Sequence, residues 1–354
     1  MVLLSDIQKI AKEQQLEIVS ALAIDEFRED LESQKDNLRA WQEKGYAGEM
    51  EYMNRSADLF VDARSFLPNA KTILSFVIPY AKSSEIVQMR NSEVPNGYGR
   101  IARYAWGRDY HRQIKKKITK FTKDLELISG ESFDSRMFTD SVPLLERAFA
   151  KNSGLGFVGK NTLLIRPGVG SYFFIAELLV SFDLEKDIII EPSKRENCGS
   201  CSFCLQKCPT NAFPEPGVLD ARKCISYLTI EKKTIFTEWE GSAIGSWLFG
   251  CDECQIVCPY NHQNIEVSVI DEFNPESGNG QFLSLDKIFS IKTKEEFLKQ
   301  FAGTSIMRAG REQLIRNALH VAHNTEYNIP RVYSNLLLND LSIDVRETYK
   351  TLFC

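Results

Sequence analysis

Apolar residues recur at helical spacing over much of the first half of the chain. The clearest stripe lies within Arg108–Ile128 and consists of Ile114, Ile118, Phe121, Leu125 and Ile128. Residues three and four apart share one face of an α-helix, so this spacing predicts a helix with one buried side. The same pattern predicts three more helices: an N-terminal helix capped by Ser5, Asp25–Gly45 with the stripe Phe27, Leu31, Leu38 and Trp41, and Ser141–Lys151.

Short apolar runs between these helices predict β-strands. Lys71–Ile78 is β-branched and almost wholly apolar, which is typical of a strand buried on both faces. Thr162–Arg166 and Tyr172–Phe182 predict two strands joined by the Gly168–Gly170 turn, and Asp187–Ile190 predicts a fourth. Because helices and strands alternate, we predict an α/β or α+β domain over residues 1–190.

The last part of the chain has a helical pattern throughout. Four helices are predicted there: Leu283–Phe301, Arg311–Ala322, Val332–Leu341 and Val345–Leu352. No long repeat period is visible, so we expect a small helical domain over 266–354, of one or two HEAT-like units. A cysteine-rich segment, 191–265, separates it from the first domain.

Length and charge narrow the class of protein. A chain of 354 residues suggests two or three domains, and its net charge of −5 means that nucleic-acid binding would need a local basic patch. No apolar run approaches the length of a membrane span. Met1–Leu16 has no apolar core of a signal peptide, so we expect a cytoplasmic protein with reduced thiols.

The cysteine spacing is the most specific feature of the sequence. Eight of the nine cysteines lie between Cys198 and Cys258. The first run is Cys198-x2-Cys201-x2-Cys204-x3-Cys208-Pro209, and the second is Cys251-x2-Cys254-x3-Cys258-Pro259, with Cys224 between them. The first run has the spacing of bacterial ferredoxins, in which three cysteines hold one [4Fe–4S] cluster and the fourth binds the other. The spacing therefore predicts two [4Fe–4S] clusters and an electron-transfer function.

Two other uses of the cysteines were weighed. Disulfides do not suit reduced thiols in a cytoplasmic chain. Zinc binds pairs of CxxC motifs, but such sites do not need the continuous CxxCxxCxxxCP run. Iron–sulfur binding is the better interpretation.

Reach along the chain predicts which cysteines bind each cluster. Cluster 1 takes its ligands from both runs: Cys198, Cys201, Cys204 and Cys258. The ligands predicted for cluster 2 are those that remain nearby: Cys208, Cys224, Cys251 and Cys254. Cys354, the last residue, is left as a free thiol.

A glycine-rich motif at Gly154–Asn161 resembles nucleotide-binding loops but lacks their context. Those loops follow a strand and open a helix, whereas here a helix precedes and a strand follows. We therefore do not predict a nucleotide site.

Asp140 directly precedes the predicted helix Ser141–Lys151, a position where an aspartate is commonly an N-cap. Taken alone, its position does not distinguish a cap from a catalytic acid.

Basic residues form several local clusters in this acidic protein. Arginines and aromatic residues alternate from Arg100 to His111, a composition that suits planar or anionic ligands as well as a helix start. Other basic residues lie on the predicted helix or near the cysteines and tail: Arg112, Lys115, Lys116, Lys117, Lys120, Lys232, Lys233, Arg308, Arg311 and Arg316. Taken singly, each of these residues fits an ordinary solvent-exposed position on the protein surface. Taken together, they also fit one surface that binds phosphate groups.

Three motifs together closely resemble the epoxyqueuosine reductase family. They are the SVPLLERAFAKNSGLGFVGKNTLLI stretch from Ser141, the ferredoxin run followed by Cys224-Ile-Ser-Tyr-Leu-Thr-Ile-Glu, and the Gly250-to-Pro259 cysteine run. The tail from Gly303 to Asn317 is similar as well. The resemblance covers roughly residues 45–325, and reductive dehalogenases are wider relatives.

The resemblance implies a fold and two kinds of cofactor. It implies a nitroreductase-like cobalamin-binding domain, a ferredoxin-like domain with two [4Fe–4S] clusters and a short helical domain. Cobalamin would be bound base-off, with no histidine ligand. The positions that match the family's cobalamin-contacting segments are Arg55, Arg103, Asp140, Lys160, Asn161, Ser226 and Asp252.

The resemblance also implies a reaction, in which epoxyqueuosine at the wobble position of tRNA is reduced to queuosine. Asp140 matches the family's catalytic acid, so it would protonate the departing oxygen. An external low-potential donor would supply the electrons, and we expect a monomer. Two alternatives stay open: a reductive dehalogenase-like enzyme acting on a small substrate, and a ferredoxin-type electron carrier that binds no cobalamin.

Overall fold

The computed structural model describes residues 4–16, 18–26, 28–183, 197–263 and 267–354. The strands in these ranges are β1 (Ile18–Ala23), β2 (Thr72–Pro79), β3 (Tyr98–Ile101), β4 (Ser135–Phe138), β5 (Phe157–Val158), β6 (Leu164–Ile165), β7 (Phe173–Val180), β8 (Trp247–Phe249) and β9 (Phe282–Ser284). The predicted strand Asp187–Ile190 and the stripe residue Phe27 lie outside the described residues.

The helices surround these strands and continue to the end of the chain. They are α1 (Leu4–Glu13), α2 (Arg28–Glu43), α3 (Ala57–Val61), α4 (Ser83–Asn91), α5 (Tyr110–Ser129), α6 (Glu146–Asn152), α7 (Phe203–Lys207), α8 (Ile225–Ile230), α9 (Glu238–Ala243), α10 (Glu253–Ile256), α11 (Leu285–Phe289), α12 (Lys294–Phe301), α13 (Arg311–Asn324), α14 (Arg331–Leu338) and α15 (Ile343–Phe353). No helix in the described ranges is long and apolar enough to cross a membrane.

A four-stranded antiparallel sheet, in the order β1-β2-β7-β4, forms the centre of the first part of the chain. Every residue of β2 is buried. Its alternate side chains pack in opposite directions: Phe76 contributes to the cluster formed with α1 and α5, whereas Val77 packs with Ala150 of α6. The continuous apolar run of β2 therefore reflects helices on both faces of the sheet, which gives an α+β arrangement.

Helix α5 lies close to its predicted range and leads away from the site described below. Asp109 caps its first turn by accepting a hydrogen bond from the amide of His111 at 3.0 Å. Gly130 ends it with a φ of +67°, a conformation that glycine adopts without a steric penalty. Four of the five residues in the predicted apolar stripe are buried: Ile114, Ile118, Phe121 and Leu125.

A second sheet, in the order β8-β3-β9, joins distant parts of the chain. Strand β3 pairs parallel with β8 through Arg100 and Trp247, and antiparallel with β9 through Tyr98 and Ser284. Each of the three predicted domain ranges contributes one strand. The boundaries near residues 190 and 265 fall within or beside the segments left undescribed, and the division into domains stays a prediction.

The C-terminal region corrects two expectations. The predicted helix Leu283–Phe301 is instead strand β9 followed by two helices, α11 and α12. Arg311 and Arg316 do not belong to a basic surface, because both are buried. Arg311 bonds Asp340 and the carbonyl of Ile291.

Arg316 instead attaches helix α13 to α8 and to the segment that follows it. Its guanidinium donates to the carbonyls of Leu228, Lys232 and Thr234 at 2.6 to 3.0 Å and lies 3.8 Å from the centre of the Phe236 ring. These arginines satisfy buried carbonyls, and a buried charge needs such partners. A linear sequence shows the charge of an arginine but not which surface covers it.

Candidate functional site

The cysteines that follow β7 form two groups in space. The first cysteine group, which is the set predicted for cluster 1, lines a cavity of about 310 Å³. Its members are Cys198, Cys201, Cys204 and Cys258. Helix α7 carries Cys204, and Cys258 precedes a 3₁₀ turn, Pro259–His262, of which Pro259 and Tyr260 also line the cavity. Burial, together with the nearby thiols of this group, raises the pKa of the Cys204 thiol to about 11.

The second cysteine group is the set predicted for cluster 2. It contains Cys208, Cys224, Cys251 and Cys254. Cys208 ends α7, Cys224 caps α8 and Cys254 lies in α10, so three short helices bring the thiols together. Burial raises the pKa of Cys251 and of Cys254 well above the usual range, and the negative charge of Cys224 raises both further. Cys254 also interacts with Cys204, which places the two groups side by side.

The donor set and the cavity fit iron–sulfur clusters. None of the nine cysteines, all within the described ranges, forms a disulfide. In those ranges no three Cys, His, Asp or Glu side chains are close enough together to hold a single metal ion. A mononuclear zinc site would draw its sulfurs to about 2.3 Å from one ion. Four thiols around a cavity suit the larger [4Fe–4S] cubane, whose iron would hold them as thiolates. Cys354 is exposed at the C-terminus.

Lys160 and Asn161 are at the first cysteine group. The backbone amide of Lys160 donates to the Cys198 sulfur at 3.4 Å, and its ammonium donates to the carbonyls of Gly199 and Cys201, each at 2.8 Å. Asn161 is buried and lines the same cavity. These contacts fix the loop that carries the first cysteines. Gly156 of this motif serves packing, since a Cβ there would lie 2.3 Å from the carbonyl oxygen of Ile165.

Asp252, Arg103 and Ser226 are at the second cysteine group. The Asp252 carboxylate accepts a hydrogen bond from the backbone amide of Arg103 at 2.6 Å, and burial raises the pKa of Asp252 to about 7. The Arg103 guanidinium is fully buried and bonds Glu85 at 3.0 Å and the carbonyl of Phe273 at 3.0 Å. Arg103 therefore presents its backbone to this region. The amide and hydroxyl of Ser226 hydrogen-bond the Cys224 thiol, whose pKa burial raises.

Asp140 is exposed at the end of β4, with its carboxylate held by a tyrosine. The Tyr110 hydroxyl donates to Oδ2 of Asp140 at 2.7 Å, and the Asp140 amide donates to the Glu146 carboxyl at 2.9 Å. Asp140 does not cap α6, because that helix begins six residues later at Glu146. Burial raises the pKa of Tyr110 far above the usual range, and the nearby Asp140 charge raises it further. Tyr110 therefore stays a hydrogen-bond donor at physiological pH.

Tyr104 lies near both Asp140 and Asp252, and Asp252 follows Cys251 of the second cysteine group in the chain. Burial raises the pKa of its phenol, and the negative charges of Asp252 and Asp140 both add to that rise. Its ring contacts Tyr110 with centroids 6.3 Å apart. In the sequence, Tyr104 and Tyr110 belong to the run of arginines and aromatic residues that suits planar or anionic ligands. That pattern gave no indication that they would lie near Asp140.

Two residues at the outer side of this region come from distant segments. Tyr52 is 43% exposed, and the Arg308 guanidinium lies 5.8 Å from the centre of its ring. Arg308 also forms a two-bond ion pair with Glu231 at 2.9 and 3.1 Å. Burial raises the pKa of Tyr52, and among its smaller causes are the charges of Glu231 and Asp140. Arg55 is exposed just beyond the 3₁₀ turn Glu51–Asn54.

The region around Tyr104 is rich in aromatic side chains, since its ring contacts those of Tyr110 and Phe249. Aromatic surface suits a planar ring system, and this one is near both Asp140 and Asp252. Of the residues matched to cobalamin-contacting segments, Arg103 and Lys160 have side chains engaged within the protein. Cofactor contacts in this region would therefore come from backbone groups and from the tyrosines.

Two protein-family models match separate parts of the chain. "Epoxyqueuosine reductase QueG, DUF1730" matches residues 61–141, and "4Fe-4S double cluster binding domain" matches residues 197–261. The first range ends just after Asp140, and the second contains all eight clustered cysteines. The second range agrees with the predicted iron–sulfur segment.

Known proteins are similar over most of the chain. Epoxyqueuosine reductase of Pseudomonas aeruginosa is 37% identical over 308 residues, which cover 85% of this chain and 81% of that protein. A crystal structure of epoxyqueuosine reductase with an epoxyqueuosine-modified tRNA-Tyr stem loop superimposes with a TM-score of 0.80 at 28% identity, covering 98% of this chain and 88% of that one. A Bacillus subtilis epoxyqueuosine reductase structure, described as having its catalytic aspartate loop swung out of the active site, gives 0.79 at 27% identity with the same coverage.

Proposed function

The chain belongs to the epoxyqueuosine reductase family, and from that premise we propose how its own residues serve the reaction. It is an oxidoreductase whose substrate is epoxyqueuosine in tRNA, and we propose that the modified base is at the wobble position and that cobalamin is the reacting cofactor. The observation that carries this proposal is the position of Asp140: an exposed carboxylate, held by Tyr110, near Tyr104, which is also close to Asp252 beside the second cysteine group.

The reaction converts an epoxide into an alkene and water, which requires two electrons and two protons. Cobalamin bound near Tyr104 would supply the reducing chemistry at carbon, with electrons delivered from the two clusters. The chain would hold these clusters through the first and second cysteine groups. Because the second group adjoins Asp252, whose charge acts on Tyr104, it is the one nearer to the proposed cofactor.

Asp140 is proposed to protonate the epoxide oxygen as its bond to carbon breaks. Tyr110 occupies Oδ2 of the carboxyl group, which leaves Oδ1 to carry the proton toward the substrate. The fixed hydrogen bond orients the acid, and orientation is a large part of what general acid catalysis requires. Tyr110 is itself held in place, since its ring stacks on Phe174 with centroids 4.1 Å apart and an interplanar angle of 8°.

Electrons are proposed to enter at the first cysteine group from an external low-potential donor. Phe203, which lines the cavity of this group, is 55% exposed. An exposed aromatic residue beside a cluster is a reasonable contact for a redox partner, since such encounters use small interfaces. We propose that the protein acts as a monomer in the cytoplasm, as expected from the sequence.

The tRNA is proposed to contact the exposed basic residues of α5, next to Tyr110. Arg112, Lys115, Lys116 and Lys120 are exposed. Lys117 is not equivalent to them, because its ammonium bonds the side chain of Gln15 at 2.7 Å and holds α5 against α1. Phosphate contacts of this kind supply affinity that depends strongly on salt.

Reversing the charge of Lys115 and Lys116 is expected to weaken binding of the tRNA stem loop. Replacing both with glutamate removes about two phosphate contacts, so the slope of log affinity against log salt should become shallower by about 2. Binding measured at several salt concentrations tests this. The double variant Lys294→Glu/Lys299→Glu on α12 is the control. An unchanged slope in the α5 variant would place this helix outside the interface.

The direct test of the proposed function is turnover of epoxyqueuosine-modified tRNA by anaerobically reconstituted protein. Cobalamin and iron are quantified on the same sample, and the product nucleoside is identified by mass spectrometry. Conversion to queuosine that requires added cobalamin supports the proposal. Conversion that proceeds equally well without cobalamin would remove that cofactor from it, and reduction of a cluster without any conversion would favour an electron carrier.

A further inference from the structure

The segment that presents Asp140 is a six-residue loop, Asp140–Leu145, which we name the Asp140 loop. It connects β4 to α6. One end is fixed by Thr139, whose hydroxyl donates to the carbonyl of Ile175 on β7 at 2.9 Å. The other end is fixed by the amide of Leu145, which donates to the carbonyl of Phe60 at 2.9 Å. Between these two anchors, the position of Asp140 is set by the contacts of its own backbone and side chain.

The backbone of Asp140 has an unusual conformation. Its φ is +50°, in the left-handed region that few residues other than glycine occupy. Such a conformation is sparsely populated by residues with a Cβ, and it persists only where surrounding contacts fix it. The contacts that fix it must therefore act on Asp140 directly.

Glu146 makes that contact. The Asp140 amide donates to both carboxyl oxygens of Glu146, at 2.9 and 3.2 Å. Glu146 is the first residue of α6, and its side chain, which is 7% exposed, turns back toward the loop. Burying a carboxyl group is costly unless it is hydrogen-bonded, and within the described ranges the Asp140 amide is its donor. Proline at position 143 and leucine at 144 and 145 offer no polar side chain that would replace it.

Tyr110 acts on the same residue from the other side. Its hydroxyl bonds the Asp140 side chain, whereas Glu146 bonds the Asp140 backbone. The two contacts come from different elements, α5 and α6, which pack on opposite faces of the central sheet. Together they fix both the main chain and the carboxylate of one exposed residue.

We propose that Glu146 is a positioning residue for the reaction: its carboxyl group holds the Asp140 backbone in the left-handed conformation from which the Asp140 carboxylate meets Tyr110 and faces the substrate. The proposal rests on the proposed role of Asp140 as proton donor. The contact between Glu146 and the Asp140 backbone does not depend on that role, because it forms in the absence of substrate. In the structure of the Bacillus subtilis relative, the catalytic aspartate loop is swung out of the active site.

The test measures amide hydrogen exchange over residues 139–146 in the cofactor-loaded protein without tRNA. Glu146→Met keeps the buried volume and removes the acceptor, so exchange at Asp140 is expected to become about tenfold faster. Glu146→Gln keeps a carbonyl acceptor and is expected to restore slow exchange. Glu296→Ala is the matched control, because Glu296 also accepts from a backbone amide, that of Lys292 at 2.6 Å, but in α12.

Kinetics provide the second measurement. Glu146→Met is expected to lower kcat about tenfold, with the KM for tRNA unchanged and rescue by Glu146→Gln, because Glu146 acts on Asp140 and not on the RNA. Unchanged exchange in Glu146→Met would overturn the proposal. If that variant does not fold, the wild type decides: an Asp140 amide exchanging as fast as an unstructured one would overturn it, and strong protection would support it. Normal turnover of Asp140→Asn beside fast exchange in Glu146→Met would refute the acid role while leaving the loop contact intact.

Discussion

Asp140→Asn is expected to lower the turnover of epoxyqueuosine tRNA by at least about 100-fold, the contribution typical of a general acid. Asparagine has nearly the same shape and still accepts the hydrogen bond from Tyr110, so the loop should keep its position. What it lacks is a proton of suitable acidity. Iron content, cobalamin content and tRNA affinity are therefore expected to match those of the wild type, and single-turnover conversion measures the loss.

Asp286→Asn is the matched control for this substitution. Asp286 accepts a hydrogen bond from the Tyr327 hydroxyl at 2.8 Å, the same type of contact that Asp140 makes with Tyr110 at 2.7 Å, but near the C-terminal helices. Its replacement is expected to leave turnover close to wild type. Near-normal conversion by Asp140→Asn with full cofactor loading would contradict the role assigned to Asp140.

Cys254→Ala is expected to remove one of the two clusters and all measurable turnover. Cys254 is in the second cysteine group, which is proposed to feed the cofactor, so its loss interrupts the electron path. Iron is expected to fall from about eight to about four atoms per chain, the difference of one cubane. Iron and sulfide analysis, with electron paramagnetic resonance of the reduced protein, measures the change.

Two further cysteine variants complete this experiment. Cys198→Ala, in the first group, is expected to remove the other cluster and leave a distinguishable resonance signal. Cys354→Ala is the control, because this thiol is exposed at the C-terminus, away from both groups. Retention of about eight irons in Cys254→Ala would contradict the ligand assignment, and zinc in place of iron in the wild type would contradict both clusters.

The predictions of the family and of the iron–sulfur segment rested on the cysteine spacing and on the stretch of sequence around Asp140. The family and the double-cluster segment are confirmed by the comparisons. Such ligand spacing can be recognised in a sequence because one [4Fe–4S] cluster takes several cysteine ligands from a short segment of chain. The predicted helix α5 and strand β2 were close to their observed ranges, because long periodic or continuous apolar patterns report burial directly.

Other expectations were wrong because they depended on neighbours far away in sequence. Arg311 and Arg316 looked like surface charges, but the fold covers them and uses them to satisfy buried carbonyls. Strands β8 and β9 have three residues each, too few to show periodicity, and they exist because β3 pairs with both. The sequence left open whether Asp140 caps a helix, and in the structure its carboxylate instead accepts a hydrogen bond from Tyr110, thirty residues earlier.

The sequence by itself determined the family, the eight clustered cysteines and the acidic residue of interest, because these depend on residue type and local spacing. Only the tertiary structure decided which groups meet: the Glu146 carboxyl group bonds the Asp140 amide, Tyr110 bonds the Asp140 carboxylate, and Tyr104 lies near both Asp140 and Asp252. The physical reason is that hydrogen bonds and burial act over a few ångströms in space. Two faces of one sheet bring together residues that the chain keeps far apart, and no local pattern encodes that meeting.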